Sequence, residues 1–261
     1  MNVLVCIKHV PDTETRVKIQ PDGKALDLSG ASWVISPYDE FAVEEAIKIK
    51  ESSGGEVTVV TVGAEDATKS IRQALAMGAD RGILCCDPAF EGSDPAATAR
   101  VLAAACAQES FDLILCGKQG VGDDNQQVPV LLAQALDIPS VSVVTEIEYE
   151  DAALKCTREI EGGREVVKTP KPSVISCQKG LNEPRYPSLK GIMQAKKKDV
   201  KTLGASDLGL DTSTIGAAAS AFELEEIALP AEKPEGRILD GEPEDQVREL
   251  IRVLHEEAKV I

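Results

Sequence analysis

Over the first half of the chain, short apolar runs alternate with longer amphipathic segments. Residues 2–8 (NVLVCIK), 56–62 (EVTVVTV), 82–86 (GILCC), 111–116 (FDLILC) and 140–147 (SVSVVTEI) are apolar, mostly β-branched, and bounded by polar or glycine-rich breaks, which predicts buried strands. Between them, residues 38–52, 64–77 with Gly78 as a C-terminal cap, 95–108 and 127–136 suit helices. Strand and helix in alternation predict βαβ units and a parallel sheet covered on both faces, because antiparallel hairpins would not need the intervening helices. Residues 17–28, with Pro21-Asp22-Gly23 at their centre, read as a hairpin inserted after the first strand.

The pattern changes after Ile147. Residues 153–160, a glycine turn at Gly162-Gly163, then 164–168 and 173–177 predict antiparallel strands extending the sheet. Little periodicity follows Gly180. Residues 203–241 are rich in Gly, Ala, Ser, Pro and acid, as a linker would be, or an extended arm that orders on a partner. At the end, Val247, Leu250, Ile251, Leu254, Ala258 and Ile261 fall on one helical face, which either folds back on its own domain or docks on another chain. The expected fold class is α/β: a mostly parallel nucleotide-binding sheet with helices on both faces, an antiparallel extension and an extended C-terminal arm. Residues 1–202 form the domain in this reading, and residues 203–261 the arm.

Charge excludes one class of partner. The chain of 261 residues carries 28 basic against 44 acidic side chains, a formal charge of −16. So acidic a surface repels polyphosphate, and no nucleic-acid partner is expected. No apolar run approaches the roughly 20 residues of a spanning helix, and residues 1–10 lack the basic region and cleavage site of a signal peptide, so a soluble, cytoplasmic protein is expected. Most of the seven cysteines sit inside apolar strings (Cys6, Cys85, Cys86, Cys106, Cys116, Cys177), with no CxxC and two histidines in all. Reduced core thiols are expected rather than disulfides or a zinc site.

In open parallel sheets, ligands sit beyond the carboxyl ends of the strands, where strand order reverses. The loops concerned are residues 8–12, 62–65 and 117–127, the last reading GKQGVGDDNQQ and running into a helix. Such a glycine-bearing loop lets backbone amides approach a phosphate, and the helix N-terminus favours its charge. Asp123, Asp124 and Asn125 suit ordinary helix caps equally well. Neither GxGxxG nor the Walker lysine motif is present, which removes the main support for a dinucleotide dehydrogenase or an NTPase. His9 has no serine or cysteine nucleophile pattern beside it, and Glu159, Glu161 and Glu165 around the Gly162-Gly163 turn suit a solvated hairpin tip. The residues alone define a nucleotide-binding α/β domain and no reaction.

The string LNEPRYPSLKGIMQAKKK at residues 181–198, preceded by REIEGGREVVK at 158–168, resembles the β subunit of electron transfer flavoprotein. The opening VCIKHVPDT, the PYDEFAVEEAIKIKE segment, ALAMGADRG and GKQGVGDDNQQ match in the same order along nearly the whole chain. Many members have threonine and glycine after the loop's glutamine, whereas Gln127 is followed here by Val128-Pro129, and Gly122 stands where aspartate is common.

The resemblance implies an electron carrier rather than an enzyme. In that family the β subunit pairs with an α subunit whose C-terminal domain carries the redox FAD. The β subunit holds AMP, or a second FAD in electron-bifurcating members. Electrons arrive from acyl-CoA or related dehydrogenases and leave to a membrane quinone oxidoreductase. Carried over by position, Lys8, Val10, Asp39, Val62, Gly63, Gly117, Gln119, Asp123, Asp124 and Gln127 become candidates for the nucleotide pocket. Residues 182–192 correspond to the recognition loop, with Leu189 as apolar anchor beside Tyr186, Pro187 and Ile192, and Glu159 to the acid that positions the mobile flavin domain. Two other classes stand beside this one: an adenylating enzyme would need an SGGxDS-type loop, which is absent, and a stand-alone nucleotide-binding module would be stable without a partner.

Overall fold

The computed structural model describes residues 1–233 and 235–261. Among them, nine strands form one sheet. In chain order these are β1 (Val3–Cys6), β4 (Val57–Val62), β5 (Arg81–Cys85), β6 (Leu113–Gly117), β7 (Ser140–Tyr149), β8 (Ala153–Ile160), β9 (Gly163–Pro170), β10 (Val174–Cys177) and β11 (Val200–Leu203), while β2 (His9–Pro11) and β3 (Trp33–Ile35) pair separately. The spatial order is β11-β5-β4-β1-β6-β10-β7-β8-β9. All neighbours from β11 to β7 run parallel, and β7-β8-β9 continue as an antiparallel meander.

The runs read as strands are uniformly apolar because both faces of the sheet are covered. Along β1, Val3 and Val5 face the cluster built with α1 (Pro37–Ser53) and α2 (Thr68–Met77). Leu4 and Cys6 face the opposite cluster, built with α3 (Pro95–Cys106) and α4 (Val128–Ala135). β6 repeats this, with Leu113 and Leu115 on the first face and Ile114 and Cys116 on the second. α1, α3 and α4 begin within one residue of where the sequence places them, whereas α2 begins at Thr68, four residues late, after a 3-10 turn over Glu65–Ala67. Pro37 and Pro95 occupy first-turn positions, Asp94 caps α3 by accepting from Ala97 N at 2.8 Å, and Gly78 ends α2 at φ 145°. The inserted hairpin is present in reduced form, as a single bridge between Ile19 and Leu26.

Three expectations are corrected. Residues 173–177 do not extend the sheet antiparallel: β10 is a parallel strand inside it, between β6 and β7, buried at every position. The run VISC has no polar alternation, which is the mark of a strand covered on both faces. The segment after Gly180 is less irregular than it reads, since it holds α5 (Leu189–Ala195) and then β11, which joins the sheet edge beside β5. Leu203, Ala205, Leu208 and Ile215 are buried against the α3 face of the core. The final apolar face is also shorter than its periodicity predicts. The helix α7 (Pro243–Arg252) passes into a wider turn at Val253–Glu257, and Val247, Leu250 and Ile251 stay exposed. A four-residue helix, α6 (Gly216–Ala219), lies between core and arm.

All seven cysteines are free thiols, with Cys86 the one not fully buried. No helix among the described residues is long and apolar enough to cross a membrane.

Candidate nucleotide site and docking loop

Strand order reverses between β1 and β6, since β4 and β5 lie to one side of β1 while β6, β10 and β7 lie to the other. At that point a cavity of about 780 Å³ opens at the carboxyl ends of the strands. Lys8, Asp39, Val62, Gly63, Gly117, Gln119, Asp123 and Gln127 line it together. Val10 and Asp124 do not. Val10 is buried in β2, and Asp124, at φ 49°, accepts from Gln119 Nε2 at 2.7 Å.

Asp39 fastens the floor. One carboxylate oxygen accepts from the Lys8 amide at 2.7 Å and the other from the Gly117 amide at 2.8 Å, tying together the ends of the two strands that part at the crevice. A Cβ on Gly117 would collide with this carboxylate, so the residue after Cys116 must be glycine. Burial pushes the Asp39 carboxyl up to about 7, against the two amide donors, which pull it down. A carboxyl raised on folding stabilises the fold below its unfolded value near 3.8, and this contribution is lost as pH rises through about 7. The full-length chain should therefore lose stability towards alkaline pH across that window, at a slope near 1.4 kcal/mol per unit in denaturant titrations. Asp39→Asn, which cannot ionise, should show no such slope, and an unchanged slope would locate the titration elsewhere.

The β6–α4 loop forms the polar wall. Its chain turns through left-handed conformations at Gly122, Asp124 and Gln126, and Gln126 Nε2 donates to Gln119 Oε1 at 3.0 Å. Lys8 Nζ is paired with the Asp123 carboxylate at the mouth. A phosphate placed there would compete with Asp123 for the same ammonium, with the first turn of α4 behind it. Gly120 leaves the space that Lys8 occupies, because a Cβ there would stand 2.7 Å from Lys8 Cδ. An ammonium group, a glycine-bearing turn and a helix N-terminus suit the phosphate of a nucleotide. The opposite wall comes from the loop after β5, with Pro88, Phe90 and Asp94, together with Leu102 of α3 and Phe222. Sequence reasoning passed over this loop. The rule that ligands sit beyond strand ends pointed to it, since β5 is the neighbour of β4.

His9 lies outside the cavity. Its Nδ1 is 2.7 Å from Ser70 Oγ and its Nε2 3.7 Å from Asp66, an arrangement with the composition of a catalytic triad. The hydroxyl is buried and the ring is stacked on Trp33 with centroids 4.7 Å apart, so no nucleophile is offered to a substrate. Cys86 is on the cavity wall, but burial raises its thiol above the ordinary value, which disfavours the reactive thiolate.

The segment holding Tyr186, Pro187, Leu189 and Ile192 forms a separate surface. Tyr186 and Leu189 are 95% and 83% exposed, with Ile192 and Met193 exposed beside them. The backbone beneath is fixed. Arg185 forks onto Glu44 of α1 at 2.8 and 2.9 Å and onto Glu51 at 2.6 and 2.9 Å, while Asn182 Nδ2 donates to Glu45 at 2.9 Å. Arg72 of α2 donates to the carbonyls of Ala195 and Lys198 at 2.6 and 2.7 Å, and a Cβ on Gly191 would strike the Ala76 carbonyl, so α5 lies directly on α2. The acids Glu44 and Glu45, buried on the inner face of α1, were the signal missed in the sequence, since each must have a partner. Glu159, near the end of β8, is exposed and accepts from Gln178 Nε2 at 3.2 Å.

Comparison with known proteins agrees over the chain's length. The electron transfer flavoprotein domain family matches residues 25–208. The chain is 43% identical to the electron transfer flavoprotein subunit beta of Bacillus subtilis strain 168, over 100% of both chains. It is 41% identical to the subunit of the same name from Thermoanaerobacterium thermosaccharolyticum, over 98% of each. A further relative, 37% identical over 95% of each chain, is the caffeyl-CoA reductase-Etf complex subunit CarD of Acetobacterium woodii. With this cavity at the switch point and this identity from end to end, the chain belongs to the electron transfer flavoprotein family, as a beta subunit.

Proposed function

We propose that the chain is the non-catalytic half of a heterodimeric electron carrier. It joins an α subunit bearing FAD, holds AMP in the cavity between β1 and β6, and presents residues 182–192 to the acyl-CoA or related dehydrogenases that donate electrons. The electrons then pass to a membrane quinone oxidoreductase. The observation that carries this reading is the cavity itself: cation, glycine turn and helix N-terminus on one wall, and Pro88, Phe90, Leu102 and Phe222 beside Asp94 on the other. FAD supplies the one- and two-electron chemistry, while the protein supplies binding and docking. Lys8 and the 117–127 loop hold the phosphate, Asp39 keeps the crevice in shape, and Glu159 lies on the hairpin that meets the mobile flavin domain.

A second reading is that a second FAD fills the cavity. Its volume of about 780 Å³ favours this, being enough to enclose a ligand larger than a mononucleotide. Denaturing the purified complex and separating the released nucleotides tests the first reading directly. One FAD and one AMP per heterodimer are expected, and two FAD would establish the second.

A further inference from the structure

The loop after β5 is stitched to the start of the C-terminal arm. Ala217 N donates to the Glu91 carbonyl at 2.8 Å, and Gly216 N to Ser93 Oγ at 3.1 Å. Asp94, buried at the head of α3, uses one oxygen to cap the helix and gives the other to Ala221 N at 2.9 Å. Ser220 Oγ closes the turn on the Phe222 carbonyl at 2.7 Å. These bonds fix the backbone up to Phe222, whose side chain lines the cavity yet is 65% exposed. Its ring is therefore not consumed by packing within the chain. A phenyl ring held at the wall of a ligand cavity by a buried carboxylate, with a face free, is a platform for a flat aromatic group.

We infer that residues 216–222 are a strap that makes the C-terminal arm part of the nucleotide site, with Phe222 as the ring on which the base of the nucleotide stacks. The assignment rests on the nucleotide reading above and adds a residue and a direction to it. The phosphate end lies against Lys8 and the β6–α4 loop, on the β6 side of the crevice. The base then points across β1 and β4 to the wall beyond β5, where Phe90 and Phe222 stand. Stacking is tolerant of which ring is presented, so the platform serves any purine nucleotide.

The test is AMP release from the purified full-length heterodimer, followed by rapid gel filtration and quantification of the retained nucleotide. Phe222→Ala should release AMP about tenfold faster, the equivalent of about 1.4 kcal/mol of lost stacking. Phe222→Trp, which keeps a flat ring, should retain it as well as the wild type. Asp94→Asn keeps the oxygen that caps α3 but removes the acceptor for Ala221, and should match Phe222→Ala. FAD content should be unchanged in all three. Wild-type retention by Phe222→Ala, or a loss shared by Phe222→Trp, would overturn the platform. A wild-type heterodimer that carries no nucleotide here would overturn the nucleotide reading itself, and the platform with it.

Discussion

Removal of residues 223–261 should abolish the heterodimer while leaving the sheet folded. The cut falls after the strap, so Leu203, Ala205, Leu208 and Ile215 remain to cover the α3 face of the core. Beyond it, Leu224, Leu229, Ile238, Val247, Leu250, Ile251, Val260 and Ile261 are exposed. No side chain of α7 is buried, and a helix of 10 residues is marginal in water without a surface to lie on. Each large apolar side chain that becomes fully buried contributes about 1.5–3 kcal/mol, set against the ordering of a long segment. Three such contacts, together about 4.5–9 kcal/mol, exceed the roughly 4 kcal/mol that separates micromolar from nanomolar association. Size-exclusion chromatography of the truncated chain with its α subunit should show separate species at micromolar concentration, with the far-ultraviolet circular dichroism of a folded α/β domain. Co-elution as a complex would place the grip between subunits elsewhere.

The second large effect is expected at Leu189. A carrier that serves a donor while its flavin domain moves needs a small contact that fixes position and leaves the rest free. Leu189 stands at the first position of α5, with Tyr186 and Ile192 around it, on a backbone locked by Arg185 to α1 and by Arg72 to α2. This pre-ordering, together with Pro184 and Pro187 in the segment, lowers the entropy lost on docking. Burial of the leucine in a partner pocket contributes about 1.5–3 kcal/mol, so Leu189→Ala should slow electron transfer from the dehydrogenase at subsaturating concentration by about one to two powers of ten. Flavin content and reduction by dithionite should not change, because neither uses this surface. A wild-type rate with the natural dehydrogenase would remove Leu189 from the docking surface.

Elements were legible where their ends are punctuated, and hidden where position in the sheet decided them. The main-sheet strands and the helices up to β7 could be read because each apolar run is closed by glycine, proline or a capping acid, as at Gly78 and Asp94, whereas the three-residue pair β2 and β3 was too short to show a pattern. The place of β10 could not, because VISC reads the same whether its partners run parallel or antiparallel. β11 was missed because VKTL is a short edge strand with Lys201 and Thr202 exposed, so burial imposes little pattern on it. At the site, loops named from strand ends gave Lys8, Gly63 and the 117–127 turn. Phe222 could not be found this way, since a lone aromatic at the end of a run of small residues has no local periodicity to mark it. The ion pairs of Arg185 depend on α1 and residues 182–185 meeting across more than 130 positions of chain, as the separations of 134 and 141 show.

The measurement that bears most directly on the account is a reductive titration of the purified heterodimer to its end point. A β subunit holding AMP adds no redox centre, so the complex should take up two electrons, all on the FAD of the α subunit. An uptake of four electrons would mean that the cavity between β1 and β6 holds a second flavin, and would contradict the assignment of this chain as the non-redox half of the carrier.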